Sequence, residues 1–316
     1  TVNDAVSQAL AEEMRRDARV LMFCEGVATK RHDLLAEFGP ERVRNTPLAE
    51  AIIAGTAAGA AAMGLRPVID LLFAPFMTLS MDAIVNSAGK LRYLSGGQFE
   101  FPMVVLAMTG AGWGVGAQHN HNLEAMFVHA PGLKVVMPSS AADFKGLLKS
   151  AIRDHNPVIF IEAQLLYSTK GEVGDGEYTI PIGQADVKRK GTDVTIVAYS
   201  KMLLIALDAA EQLSREGLKV EVIDPRTLKP LDLETIVTSV TKTGRLLIVE
   251  EGWRFCGLGA QIAESVYSAA FDYLDAPIVR VTGEDVPIPY SRPLEDAAIP
   301  DVPRVVAAVK SLCGVA

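Results

Sequence analysis

The chain has 316 residues, long for one domain and comfortable for two, and 49% of them are hydrophobic, enough for two cores. A formal net charge of −8, with no basic tract or aromatic-interleaved basic stripe, excludes nucleic acid as an expected partner. No uncharged apolar run reaches membrane-spanning length, so no membrane partner is expected either.

Cys24, Cys256 and Cys313 are odd in number, far apart and without metal-type spacing, which points to a reducing compartment. A cytoplasmic location is expected, or in a eukaryote a mature organellar chain. The first residues, Thr1 to Ala5, open directly into an amphipathic helix rather than a signal peptide. Asn3 or Asp4 caps that helix, whose apolar positions Val6, Ala9, Leu10 and Met14 recur at helical spacing. Residues 19–23 then read as a buried strand, and Glu25 follows at its carboxyl end, where open α/β sheets bind ligands. Glu25 is either a solvated loop carboxylate or part of such a site.

Thr46 and Pro47 suit a cap and first turn, predicting a helix over 47–64 with Glu50 about one turn in. Read alone, Glu50 either favours the helix dipole from water or sits at the rim of a buried surface and needs a partner. The rest of the helix is mostly Ala and Gly, so another backbone or a flat ligand can approach it closely. A strand over 66–73 is broken at Ala74-Pro75-Phe76, and a helix is expected over 77–94 with Met81, Ile84 and Val85 on one face. Phe76 at that corner serves either as core packing or as a flat apolar wall beside a pocket.

A third strand, 101–108, leads into Gly110, Gly112, Gly114 and Gly116, a loop whose backbone must bend sharply or admit a ligand. It ends in His119-Asn120-His121. No Cys or carboxylate lies at ligand spacing around the histidines, so a metal there is weakly supported, and His119 is better read as an acid, base or hydrogen-bond donor presented by the loop. Strands at 133–138 and 157–162 flank a helix, and this alternation predicts a mostly parallel sheet covered on both faces. Residues 167–191, rich in Gly, Pro and charge, read as a linker between domains 1–175 and 190–316. Strands at 193–200, 219–224, 245–250 and 277–282 alternate with helices in the second domain, giving an α/β protein of two doubly wound domains.

Taken together, these residues resemble the beta subunit of the thiamine-diphosphate-dependent decarboxylase component of 2-oxo acid dehydrogenase complexes, the pyruvate, branched-chain and acetoin type. The resemblance covers essentially the whole chain. It is carried by Thr46-Pro47-Leu48-Ala49-Glu50, Gly64-Leu65-Arg66-Pro67, Lys90-Leu91-Arg92-Tyr93 with Gly96-Gly97, Ala117-Gln118-His119, Pro131 to Val136, Lys145 to Lys149, and Ala151 to Asp154 with Asn156-Pro157. The Arg92-Tyr93 and Gly96-Gly97 pieces lean towards the acetoin members.

The family implies a transketolase-like pyrimidine-binding domain followed by a transketolase C-terminal-type domain. It also implies thiamine diphosphate shared with an alpha subunit in an α2β2 heterotetramer. Glu50 matches the glutamate that hydrogen-bonds the aminopyrimidine, Phe76 the aromatic stacked on it, and His119 the histidine that handles protons or orients substrate in acyl transfer to a lipoyl carrier. Leu48 and Glu25 join Glu50 and Phe76 as the expected cofactor-contacting set, and Asn120 and His121 join His119 in the substrate pocket. A potassium ion is implied at Met103, Ala151, Ile152, Asp154 and Asn156, where oxygen ligands suit a hard cation.

Gly174-Asp175-Gly176 looks like the start of the family's magnesium–diphosphate motif, but no Asn occurs after Asn156. Magnesium and diphosphate are therefore expected on the alpha subunit, and a lipoyl acyltransferase core is a possible further partner by resemblance. Asn45 in place of the usual Asp, the short loop 27–39 and Asn120-His121 in place of Ser-Gln leave the substrate open. So do two alternatives: a lipoyl-independent acyloin-cleaving or two-subunit transketolase-like enzyme, and a non-catalytic assembly subunit.

Overall fold

Two units fold around mostly parallel sheets: residues 1–109 with 126–182, and residues 110–125 with 183 to the C-terminal end. The computed structural model describes residues 1–315, and all of their side chains except that of Ala28.

In the first unit, β1 (Val20–Cys24), β2 (Val43–Asn45), β3 (Arg66–Phe73), β4 (Val104–Thr109), β5 (Lys134–Val136) and β6 (Val158–Ala163) run parallel in the spatial order β5-β6-β4-β3-β1-β2. Every residue of β4 and β6 is buried, the pattern of strands covered on both faces. The helices are α1 (Val2–Arg16), α2 (Val27–Lys30), α3 (His32–Phe38), α4 (Glu50–Ala62), α5 (Gly89–Leu94), α6 (Glu124–His129) and α7 (Ala141–Arg153).

Helices α1 and α7 are joined by buried charge. Lys149, fully buried, lies 2.6 Å from carboxylate oxygens of both Glu12 and Glu177, and Arg153 Nε donates to the buried Glu13 at 3.0 Å. The Glu13 carboxylate beside Arg153 raises the guanidinium pKa further. Removing either member of such a pair would strand a charge away from water.

Three local expectations change. The cap of α1 is Thr1 rather than Asn3 or Asp4: Thr1 Oγ1 accepts from Asp4 N at 3.3 Å and donates to the Asp4 carboxylate at 2.7 Å, which places Asp4 at the third helical position of a capping box. Helix α4 begins at Glu50, not at Pro47. Thr46 N still donates to Cys24 O at 3.1 Å, prolonging the β1–β2 pairing, and Thr46 Oγ1 donates to Pro47 O, so the chain has not turned until Ala49. The helix over 77–94 is broken into a 3-10 turn (Ala74–Ser80), a widened π segment (Asp82–Ala88) and α5. The widening ends at Gly89, whose backbone meets Gly132 so closely that a Cβ on Gly132 would stand 1.8 Å from Gly89 O.

The second sheet has the order β12-β11-β8-β9-β7, made of β7 (Asp186–Arg189), β8 (Val194–Ala198), β9 (Val220–Asp224), β11 (Leu246–Trp253) and β12 (Val279–Gly283), with a short strand β10 (Thr227–Lys229) between β9 and β11 in the chain. Helices α8 (Lys201–Arg215), α9 (Leu233–Thr243), α10 (Leu258–Ala270), α11 (Arg292–Ala298) and α12 (Val302–Cys313) complete it. Its core packs Ile196, Val222, Leu247 and Val249 against Met202, Ala206, Val305 and Val309. Part of the expected linker is thus strand: β7 pairs antiparallel with β9, and Arg226 holds Asp186 at 3.0 Å. The glycine-rich segment 110–125 packs with this unit rather than the first.

The Gly132 contact yields a stability prediction. With φ at +91° and Gly89 O in the place of a side chain, Gly132→Ala should destabilise the protein by about 3 kcal/mol or more. Gly59→Ala, on an exposed helix face with nothing within 4 Å, should be neutral or add roughly 0.5–1 kcal/mol. Urea denaturation of the two variants measures both.

Candidate active-site residues on the two units

Parallel pairing brings the carboxyl ends of β2, β1 and β3 side by side. Glu25 follows β1, the segment from Thr46 to Glu50 follows β2, and Phe76 follows β3, so the expected cofactor-contacting residues of the first unit leave one edge of one sheet. Glu50, the first residue of α4, is half-buried and its carboxylate favours the positive end of the helix. Phe76 is half-buried, edge-on to Phe73 at 6.1 Å between ring centroids. Leu48 is exposed and Glu25 half-buried.

Beneath this edge lies a charged layer that sequence reasoning missed. Lys30 Nζ pairs with the buried Asp70 at 2.7 Å, and Asp70 Oδ1 accepts from Leu72 N at 3.0 Å. Leu72 has φ of +60°, unusual for a residue with a side chain, and the pairing of β3 with β4 shifts register there. Asp70 therefore secures the irregular strand end from which Phe76 is presented. Burial, with the Asp70 charge nearby, pushes the Glu162 carboxyl up to about 7, and Tyr167 Oη donates to it at 2.7 Å. Cys24 donates its thiol to Asp70 O, and burial pushes its pKa up to about 12, so it is not a ready nucleophile.

The histidines lie on the second unit, apart from Glu50 and Phe76 in the chain's division. His119 and His121 are half-buried and Asn120 is buried. His121 stands edge-on to Trp253 with ring centroids 4.7 Å apart, and burial lowers its pKa, favouring the neutral imidazole. In the loop before them, Gly110, Gly112, Gly114 and Gly116 all have positive φ. Its backbone is bound by buried charges. Ala111 N donates to Glu251 at 2.5 Å, Lys201 Nζ donates to Ala111 O at 2.6 Å, and Gly112 N and Gly114 N donate to Glu295 at 2.7 and 3.2 Å. Ordering a residue costs roughly 1–2 kcal/mol, and each bond to a charged group offsets about 1.5–3 kcal/mol of that.

Next to the loop, Glu124 is fully buried and bonded by Tyr199 Oη at 3.2 Å, while Glu250 pairs with Arg280. Burial, with the Glu250 charge added, pushes the Glu124 carboxyl up to about 7. None of Glu124, Glu250, Glu251 or Glu295 was singled out from sequence; Val249-Glu250-Glu251-Gly252 at a strand end was the one local signal.

The five positions implied for potassium lie in the first unit. Met103 O accepts from Val158 N, Ala151 O from Asp154 N, and Arg66 Nη1 donates to both Ile152 O at 2.7 Å and Asp154 O at 3.0 Å. Asn156 Oδ1 accepts from Arg92 at 2.8 Å. Oxygens are the ligand type a hard cation takes and each carbonyl keeps a second lone pair, but the Arg66 guanidinium already lies on two of the five residues. Among the described residues, no cluster of three or more His, Cys, Asp or Glu is arranged to hold a metal ion.

Residues 1–170 match the family "Transketolase, pyrimidine binding domain", and residues 183–305 match "Transketolase, C-terminal domain". The chain is 49% identical to the pyruvate dehydrogenase E1 component subunit beta of Rickettsia felis, over 99% of this chain and 98% of that one. It belongs to the family of pyruvate dehydrogenase E1 beta subunits. A mitochondrial relative from Oryza sativa, subunit beta-2, is 47% identical over 99% of this chain and 86% of its own length. A solved structure described as a split gene transketolase, inactive beta4 tetramer, superposes with a TM-score of 0.82 at 29% identity, covering 99% of this chain and 98% of that one. The family resemblance read from the motifs and the two-domain transketolase-like fold are thus both borne out. Among the described residues, no helix is long and apolar enough to cross a membrane.

The Glu124 carboxyl gives a pH prediction. Unfolded, it ionises near its ordinary value of 4.5; folded, near 7. Between these pH values the unfolded state binds fewer protons, so this group's contribution makes stability fall as pH rises through that window and level off above it. Glu124→Gln should flatten the dependence and raise stability above about pH 7. Denaturation midpoints of wild type and variant, taken from about pH 5 to about pH 8, report the difference.

Proposed function

We propose that this chain is the beta subunit of a thiamine-diphosphate-dependent 2-oxo acid dehydrogenase decarboxylase component, acting on pyruvate and passing the acyl group to a lipoyl carrier. The observation that carries the reading is that Glu50 and Phe76 leave one sheet edge within residues 1–170, the stretch that matches the pyrimidine-binding family. The names of the relatives support pyruvate as the substrate.

When bound, thiamine diphosphate supplies a carbanion centre and an electron sink for cleavage of the bond next to the carbonyl. With the cofactor bound, Glu50 would hydrogen-bond a ring nitrogen of the aminopyrimidine, Phe76 would offer that ring an apolar wall, and Leu48 and Glu25 would line its surroundings. His119 moves protons during acyl transfer, with Asn120 and the neutral His121 lining the substrate's side. Magnesium and the diphosphate are held by an alpha subunit in an α2β2 assembly, potassium by the Met103 to Asn156 set, and the lipoyl acyltransferase core is the acceptor's carrier. The outer face of α4 is the surface for a partner subunit: Ile52 and the capping residue Met63 are 71% and 83% exposed, and nothing lies within 4 Å of a Cβ built on Gly55 or Gly59.

Two experiments test this. Assembled with its alpha partner, Glu50→Ala should lower pyruvate turnover by about 100-fold or more. Unchanged turnover would instead mark a non-catalytic assembly subunit, and turnover without lipoyl acylation a lipoyl-independent enzyme. Gly59→Leu should leave the fold of the isolated chain intact while preventing assembly, read by size-exclusion chromatography of the mixed subunits. An intact complex would remove α4 from the interface.

A further inference from the structure

We propose that Glu295 is a positioning residue for His119, acting as an internal anion that fixes the glycine-rich loop in one conformation. The inference rests on the role proposed for His119 in acyl transfer.

The loop packs little of its own apolar surface: Ala111 joins a small cluster with Ile288 and Ala298, while Trp113 is exposed. Its alternating glycines instead turn backbone N–H groups towards one point, the arrangement by which a protein binds a free anion. Here the anion is built in. The Glu295 carboxylate, fully buried, accepts from Gly112 N at 2.7 Å and from Gly114 N at 3.2 Å, and the Asn120 amide lies 3.3 Å away. The opposite atom of the same amide stands 3.0 Å from Gly110 O and 3.2 Å from His119 O. The Asn120 amide has one donating end, so it serves either Glu295 or the carbonyls of Gly110 and His119, and the constant link from Glu295 to the histidine is the loop backbone it holds at Gly112 and Gly114. Arg292, three residues earlier on α11, donates to Gly112 O at 2.5 Å, and a Cβ on Gly116 would stand 2.3 Å from the Tyr290 ring. One short segment, Tyr290 to Glu295, thus grips both faces of the loop, while Lys201 and Glu251 hold Ala111 behind it.

The consequence is separable from general stability. If Glu295 acts through His119, its loss impairs the step that needs His119 and spares the one that does not. In the assembled complex with pyruvate, Glu295→Gln should lower acylation of a lipoyl domain by about tenfold or more and leave turnover with ferricyanide within about threefold. On a His119→Ala background the same substitution should cost nothing further in acylation. Amide hydrogen exchange over residues 110–122 should quicken by about tenfold, while the strands β8 and β11 stay protected.

Equal losses in both assays, additive effects in the double variant, or unchanged exchange in the loop would each overturn the proposal. Should Glu295→Gln not assemble, Arg292→Ala, at a side chain 62% exposed, loosens the same loop from outside and must show the same selective loss and the same quickened exchange. If His119→Ala alone leaves acylation intact, the functional reading of His119 falls, and the exchange data still decide whether Glu295 orders the loop.

Discussion

Parallel strand pairing is the constraint on which the first unit depends. Such pairing needs a crossover after every strand, so each carboxyl end opens into a loop or helix start on the same edge. Three neighbouring strands, β2, β1 and β3, then deliver Glu50, Glu25 and Phe76 from short connections, with no contribution required from the linker or the outer helices. The cost is local irregularity, concentrated where Leu72 adopts a left-handed conformation under Asp70 and where β3 slips against β4. Strain of this kind gathers where a side chain must be aimed rather than merely packed.

The second unit solves a different problem with different means. The loop that carries the histidines is rich in glycine, and its order comes mainly from buried carboxylates, with only Ala111 packed into an apolar cluster, on Ile288 and Ala298. Glu251 and Glu295 each accept from loop amides, and Lys201 and Arg292 donate to its carbonyls. Nearby, Glu124 keeps its proton to higher pH because burial disfavours its charge, while Glu250 has Arg280 as its partner. The two neighbouring acids are thus accommodated in opposite ways, one by neutralisation and one by pairing.

What could be read from the chain follows from the range of each interaction. Strands such as Val104–Thr109 and Val158–Ala163 were legible because burial on both faces leaves a continuous apolar run. Boundaries were less so: Pro47 suits a first helical turn, yet pairing between Thr46 and Cys24 postpones the helix to Glu50, and Asp186–Arg189 reads as linker although it is an edge strand. Glu50, Phe76 and His119 stood out through their motifs and loop positions. Glu295 did not, because its partners Gly112 and Gly114 lie more than 180 residues away in sequence, and a lone Glu before Asp296 resembles a solvated one.

The way Glu295 holds its loop also sets how that loop responds to its surroundings. Apolar contacts weaken on cooling and exposed ion pairs are screened by salt, whereas a buried carboxylate gripping backbone amides shares neither dependence. The presentation of His119 should therefore hold across cold and brackish conditions in which an exposed hinge would loosen, which makes this loop tolerant of climate but intolerant of a change to one distant acid.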